Sequence, residues 1–448
     1  MRKGGIAVQE YPDCEILDVH DLPADRRTTL LTVEGVWLEF DKVVIATGHH
    51  WAAEDDPARG YYASPWPITK ILPGKGEHCN FTIGTLGASL SAFDVVSSLT
   101  HRHGSFKIGK GGKLTFEPHA GTENFKIVMH SEKGLLPHLQ FDQEELFREI
   151  YRHVSREELL ALIDEAGFLR MGSYFDKVCR PALVKAFEKD GIPELVGLLE
   201  KPEFGLEDFA ARMTGEHHYA DAFEGMRLEM AEAEKSVLNH KPIHWKEVTD
   251  DLMYTLNFHA ELMPAEDHLV LQSVVMPFLL NVVAAMPLHS GNTILALHEA
   301  GKLEIVPGRV SVDDGTGGEG MTRVKVEQEG VGEYTLDYRM FINCSGQKPL
   351  QPEDYPFPSL VREGSVRKAR APFAHPMEAT EKVPEEKRDR LFRKDGEILY
   401  AIGGVDIDGT CRIVGEDGKP NPRIHDIAFA HASGVRPYSY GLQACSHT

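Results

Sequence analysis

Asp41-Lys-Val-Val-Ile-Ala-Thr-Gly48 is a short apolar strand closing on Ala-Thr-Gly, and Arg339-Met-Phe-Ile-Asn-Cys-Ser-Gly346 repeats its design, closing on Cys-Ser-Gly. A similar hairpin precedes each. Before the first come Thr29-Leu-Leu-Thr-Val33, a Glu-Gly turn and Val36-Trp-Leu-Glu-Phe40. Before the second come Val324-Lys-Val-Glu-Gln328, a Gly-containing turn and Tyr334-Thr-Leu-Asp-Tyr338. Further upstream, Glu15-Ile-Leu17 is matched by Glu304-Ile-Val306, each read as a strand. Two modules of one design are therefore expected, and only the second has a Gly-rich loop ahead of it. The counterpart of that loop is expected before Met1.

That loop lies in the segment Phe81–Asp94. Phe81-Thr-Ile-Gly84 reads as a buried strand stopping at glycine, and Leu90, Phe93, Val96 and Leu99 mark one face of a helix running to His101. Phe125-Lys-Ile-Val-Met-His130 is the next strand. Strand, Gly loop, helix, strand is the βαβ unit of a doubly wound sheet. The fold class is thus α/β. From Asp142 to Ala265 the texture changes to Leu, Ala, Glu and Lys at helical spacing, with helices expected over 144–166, 180–189, 192–200 and 220–237. This reads as a helical insertion in the second module.

The chain has 448 residues, enough for two or three domains, and a formal net charge of −21 from 48 Lys plus Arg against 69 Asp plus Glu. Such an acidic surface argues against nucleic acid or an anionic membrane as main partner. The six cysteines are scattered without a CxxC pair or zinc spacing, the pattern of reduced thiols in a cytoplasmic protein. Met-Arg-Lys-Gly-Gly at the start leads into polar sequence, so no signal peptide is read there. Residues 269–288 approach spanning length but contain Gln272, Pro277 and Asn281, which favours a buried helix. No metal site is expected: His217-His218 and His101-Arg-His103 lack convergent carboxylates. The Gly-rich run 313–320 lacks the Lys-Ser/Thr of a P-loop and reads as an exposed hairpin loop.

In the loop of the second module, Gly84 and Gly87 allow a tight turn and close approach of backbone to a pyrophosphate, with Ser89 and Ser91 at the helix start. The spacing departs from G-x-G-x-x-G. The alternative is an ordinary strand-to-helix turn with Ser89 or Ser91 as N-cap. In open α/β sheets ligands sit outside the carboxyl ends of the strands, so Gly48 and Gly346 also mark places where backbone meets a nucleotide. Cys344 has no partner cysteine and reads as a small buried strand residue.

Several segments in order resemble the flavoproteins with two dinucleotide-binding domains, and within them the FAD/NAD(P)-binding family related to flavin-dependent monooxygenases and urate hydroxylase-like proteins. They are Ala46-Thr47-Gly48-His49, Ser64-Pro65-Trp66, Ser89-Leu90-Ser91-Ala92-Phe93-Asp94, Ser131-Glu132-Lys133-Gly134-Leu135-Leu136-Pro137 and the terminal stretch 437–446. The resemblance implies two Rossmann-like domains, the first incomplete, with the helical insertion. Residues 1–75 and 350–448 would form the incomplete FAD-binding domain, 76–141 and 266–349 the NAD(P)-binding domain, and 142–265 the insertion. It implies FAD and NAD(P)H as cofactors, with Thr47, Gly48, Gly403, Gly404 and Asp406 toward FAD. Gly84, Gly87, Ser89, Ser91, Ser131, Lys133 and Gly346 would face the nicotinamide dinucleotide. Glu132 stands where the family usually has a basic residue for the 2′-phosphate, while Lys133 pulls the other way, which leaves NAD against NADP open. His49 and His289 are candidate acid–base groups. The implied activity is an FAD-associated, NAD(P)H-dependent oxidoreductase, with a monooxygenase-like reaction as one form, acting on a small molecule. The alternative is a truncated or degenerate flavoprotein that binds a nucleotide or partner without catalysis. An incomplete FAD domain would expose apolar sheet surface, which a homo-oligomer or protein partner would cover.

Overall fold

The structure is a computed structural model that describes residues 7–48, 53–109, 112–145, 147–216, 219–283, 286–313, 318, 320–347 and 350–438. His49, His50, His217, His218, most of the 313–320 run and residues 439–446 of the terminal motif lie outside the described residues.

In chain order the strands are β1 (Ile16–Leu22), β2 (Arg27–Thr32), β3 (Trp37–Phe40), β4 (Val43–Ile45), β5 (Tyr61–Tyr62), β6 (Thr82–Leu86), β7 (Gly104–Ile108), β8 (Leu114–Pro118), β9 (Lys126–Ser131) and β10 (Leu303–Pro307). The second half adds β11 (Arg309–Val312), β12 (Thr322–Gln328), β13 (Gly332–Tyr338), β14 (Phe341–Asn343), β15 (Lys368–Pro372), β16 (Leu391–Lys394), β17 (Glu397–Val405), β18 (Arg412–Val414) and β19 (Pro420–Asp426). Helix α1 spans Leu90–His103 and connects β6 toward β9.

A five-stranded sheet of order β10-β9-β6-β14-β5 is the centre, and all its pairings are parallel. Parallel strands covered on both faces need nearly continuous apolar sequence, and β6 and β9 supply it. Alternation then divides their side chains. Ile83, Ile127, Met129 and Ile342 pack with Ala92, Val95, Val96 and Leu99 of α1. On the opposite face Val128 and Phe341 pack with Val324, Val326 and Tyr338 of the antiparallel meander β11-β12-β13. Leu90, expected on the apolar face of α1, is 66% exposed. It belongs to the first turn, which projects beyond the sheet.

The repeat is visible in space. β1-β2-β3 is a second meander followed by β4, as β11-β12-β13 is followed by β14. β4 pairs in parallel with β19, which brings residues 43–45 and 424–426 together. The upstream match is displaced by one strand: Glu304-Ile-Val306 lies in the parallel sheet, whereas Ile16 and Leu17 already belong to the meander. The smaller sheet is open on one side, with Val44 59% exposed.

Most helices between 155 and 283 share one core that includes Leu159, Phe187, Phe209, Trp245 and Phe278 and continues through Val283, beyond the change of texture at Ala265; helix Ala222–Leu238 instead sends Phe223, Met226, Met230 and Ala233 into the core under the parallel sheet. The helix expected over 144–166 is shorter, running from Arg156 to Leu160 behind a Ser155/Glu158 capping box. Upstream, the amides of Glu144 and Glu145 each donate to the Glu247 carboxylate at 2.8 Å, and Arg148 and Arg152 pair with Asp250 and Asp251. These tertiary bonds tie residues 144–152 to the helix His244–Asn257. Residues 265–283 form helical turns, α and wider π, around Pro277, with Leu271, Val275, Phe278, Leu279, Val282 and Val283 buried. Among the described residues no helix is long and apolar enough to cross a membrane.

Candidate nucleotide-binding site

The carboxyl ends of β6 and β14 lie side by side, and the chain leaves them in different directions. From β6 it enters α1 and returns in β9 on one side, while β14 flanks β6 on the other. That is the switch point at which an open parallel sheet makes a crevice. Its walls are backbone. The Cys344 amide donates to the Leu86 carbonyl at 2.7 Å, and the Gly87 amide donates to the His130 carbonyl at 2.8 Å. Gly87 has φ +107°, and a Cβ there would lie 2.9 Å from the Cys344 carbonyl oxygen and 3.0 Å from its carbon. Only glycine lets the β6–α1 turn close this tightly on the end of β14.

Helix α1 begins at this crevice. Ser89, its N-cap, has extended backbone and makes no side-chain cap bond, so the first-turn amides are not capped by its hydroxyl. Fourteen residues of helix aim their positive end there. Opposite, Gly346 has φ +84° and nothing within 4 Å of the position a Cβ would take. Ser345 is tied back by its amide and hydroxyl to Asn343 Oδ1, at 3.0 and 2.7 Å. The turn after β9 carries Ser131, exposed Glu132 and exposed Lys133. It is held against the end of β10 by the Gly308 amide, which donates to the Ser131 carbonyl at 3.1 Å. Together Gly87, Ser89, Ser91, Ser131, Lys133 and Gly346 lie along the carboxyl ends of β6, β9 and β14.

Gly84 has a different setting. It lies inside β6, and a Cβ there would meet Phe341 Cδ2 at 2.6 Å and the Tyr338 ring at 3.0 Å. Its lack of side chain is needed by packing. Cys344 is buried, and burial with the nearby Asp94 carboxylate pushes its thiol up to about 12, so it is no thiolate near neutrality. His289 is exposed in the first turn of helix Leu288–Glu299, which packs against helix Ala222–Leu238 and β8. Among the described residues no group of three or more His, Cys, Asp or Glu side chains is placed to hold a metal.

The end of β4 forms a second edge. Gly48 has φ +75° and open space where a Cβ would point. The Thr47 hydroxyl lies 3.5 Å from His431 Nε2, and His431 Nδ1 lies 2.8 Å from Asp426 Oδ2. Asp426 also accepts from the Tyr355 hydroxyl at 2.7 Å and from the Ala428 amide at 2.9 Å. His431 and Asp426 are fully buried, so this chain of bonds fixes the ring behind Thr47. Sequence reading missed Tyr355, Asp426 and His431, because they come from segments that only the β4–β19 pairing brings together.

Three further residues expected to face FAD are engaged inside the protein. A Cβ at Gly404 would lie 2.2 Å from the His431 carbonyl oxygen, and one at Gly434 would lie 1.9 Å from the Gly403 carbonyl oxygen. Gly403 and Gly404 thus admit the segment 429–434 against β17. The Asp406 carboxylate is buried and bound by Arg367 through Nε at 2.7 Å and Nη2 at 2.6 Å. Of the residues expected to face FAD, Thr47 and Gly48 lie at a strand end, with open space beside Gly48.

Comparison with known proteins fits the helical part of the chain. Residues 155–283 match the YdhS-like middle domain family. The uncharacterized protein YdhS of Escherichia coli (strain K12) is 27% identical over 368 residues, which is 80% of this chain and 64% of YdhS. The chain therefore spans somewhat less than two thirds of that relative's length. Among solved structures, the reduced form of ornithine hydroxylase (PvdA) from Pseudomonas aeruginosa aligns at a TM-score of 0.34 and 9% identity, over 96% of this chain and 68% of its own. Cyclohexanone monooxygenase from Rhodococcus sp. Phi1 bound to NADP+ aligns at 0.29 and 10%, over 74% and 51%.

Proposed function

We propose that this chain binds a nicotinamide dinucleotide in the crevice between β6, α1 and β14 and serves an FAD-associated, NAD(P)H-dependent oxidoreductase. One observation carries the reading: the Gly87 turn and the free start of α1 close on the glycine-ended strand β14 at the sheet's switch point. A pyrophosphate there would accept from the first-turn amides of α1, next to Gly346. The turn 131–134 would meet the adenosine ribose, with Glu132 favouring its free hydroxyls and Lys133 favouring a 2′-phosphate. Thr47 and Gly48 would meet the flavin nucleotide, with the Thr47 hydroxyl oriented by His431. A bound flavin supplies hydride acceptance from the nicotinamide, while the protein holds the rings and keeps water out.

The engagement of Gly403, Gly404 and Asp406 inside the fold favours a second reading, in which the chain binds the dinucleotide but no flavin of its own. Absorption spectra of the purified chain with and without added FAD, followed by NADH and NADPH oxidation assays, separate the two. Flavin uptake with FAD-dependent oxidation supports the oxidoreductase. Dinucleotide binding without flavin uptake supports the second reading. Absence of dinucleotide binding overturns both.

A further inference from the structure

A cavity of about 430 Å³ is lined by the start of β19, the opposite end of that strand from its pairing with β4. Its wall includes Pro420, where β19 starts, whereas the residues beside Thr47 come from the end of that strand. The rest of the wall is built from β15, β16, β17 and the turns beside them, with Glu261, Val414, Gly418 and Val435. It shares no lining residue with either strand-end site, although Ile402 and Asp406 bracket Gly403 and Gly404.

Most of the charges of this cavity are internally matched. Arg367 holds Asp406, Arg412 holds Asp408 through Nε at 2.8 Å, and Arg436 holds Glu261 at 2.7 Å. Lys394 is paired with Glu416. Asp395 and Glu397 have no ion-pair partner among the described residues, and Arg370 is the lining cation without a close one. Its side chain is only 14% exposed, and its ion-pair partner is that same Glu416 at 3.8 Å, a carboxylate half in solvent and already engaged by Lys394. Among the described residues, no hydrogen bond is made by the Arg370 guanidinium. Burial and the neighbouring Arg367 push its pKa down from the ordinary value, against the opposing pull of Glu416, Asp406 and Asp395.

We propose that this cavity binds a small monocarboxylate with an apolar body, the carboxylate received by Arg370. A guanidinium presents a planar fork of donors that matches a carboxylate in two parallel bonds. Pro372, Leu399, Ile402, Val414 and Val435 line the same cavity and would cover a hydrocarbon portion. The volume is that of a small-molecule site. Asp395 and Glu397, both exposed, stand at the rim. With these carboxylates close by, a doubly charged phosphate would meet more repulsion than a single carboxylate. A singly charged acid with an apolar tail therefore fits the charge and the lining together.

The test uses the full chain with octanoate and 4-phenylbutyrate as probes, and octanamide and inorganic phosphate as counter-probes, read by calorimetric titration. Saturable binding of at least one acid is expected, with octanamide and phosphate bound about tenfold or more weakly. Arg370→Gln is expected to weaken the acid about tenfold or more, and Arg370→Lys to retain part of the affinity. A second readout on the unaltered chain guards against a misfolded variant: the bound acid should protect Arg370 from phenylglyoxal, mapped by peptide mass spectrometry. Failure of both acids to bind, equal binding of octanamide, tighter binding of phosphate, or no protection of Arg370 would each overturn the proposal. Because the cavity shares no lining residue with the crevice, loss of nicotinamide binding in other variants leaves this test unaffected.

Discussion

Substituting Gly87 by alanine probes the crevice directly. The new methyl group would sit 2.9 Å from the Cys344 carbonyl oxygen, where ordinary contact begins at 3.4 Å. The β6–α1 turn and the end of β14 must therefore separate by roughly half an ångström. The backbone at φ +107° adds its own cost for any residue with a Cβ. Together the strain and the forced shift cost about 2–4 kcal/mol, and part of it falls on the amides that would meet the pyrophosphate. NADH and NADPH affinity, followed by nucleotide fluorescence, should drop about tenfold or more, with a parallel fall in urea midpoint. Gly346→Ala is the companion variant. It meets no neighbour and carries only the positive-φ cost of about 1 kcal/mol, so it should weaken binding with a smaller loss of stability. If Gly87→Ala bound both nucleotides as the unaltered chain does while its urea midpoint fell, the crevice would not be their site.

Asp426→Ala should cost about 3 kcal/mol or more in urea unfolding, because it leaves the Tyr355 hydroxyl, the Ala428 amide and the His431 ring without their shared acceptor. A loss under about 1 kcal/mol would show that the buried chain behind Thr47 does not hold the β4–β19 unit together. His268 is buried and burial lowers its pKa to about 4, so the unfolded chain binds the proton first as pH falls. Stability from this group is complete above the unfolded value and declines toward the folded one, by about 2 kcal/mol between about pH 7 and about pH 5. Glu229, raised by burial to about 7, works in the opposite sense over the same interval. The comparison is therefore His268→Phe against the unaltered chain, and the variant should lose less stability on acidification; parallel pH profiles would contradict this. Glu132→Arg should move the ratio of NADPH to NADH affinity toward NADPH by about tenfold, and an unchanged ratio would remove the 131–134 turn from the adenosine end of the site.

The parallel sheet was readable because its strands advertise themselves locally. Thr82–Leu86 and Lys126–Ser131 carry the apolar residues Ile83, Leu86, Ile127, Val128 and Met129, and the helical spacing from Phe93 to Leu99 tells which elements connect them. The repeat of hairpin plus Gly-ended strand was legible for the same reason. Gly84, Gly87 and Gly346 look alike in sequence, each read at the end of a strand, yet Gly84 proved to make room for Phe341 and Tyr338. Whether a glycine faces a ligand or a neighbouring ring depends on partners more than two hundred residues away. Gly403, Gly404 and Asp406 carry the same lesson, since Arg367 and the segment 429–434 reach them only through the tertiary fold. The stretch 144–153 scored as helix by composition, but its amides and arginines bond to the carboxylates of helix His244–Asn257.

A structure of the full chain soaked or co-crystallised with NADP+ or NADH tests the central claim most directly. The account predicts pyrophosphate density at the start of α1, within hydrogen-bond reach of the amides around Ser89 to Ser91 and beside Gly346. Nucleotide bound elsewhere on the chain, or none bound at concentrations that saturate ordinary dehydrogenases, would contradict it.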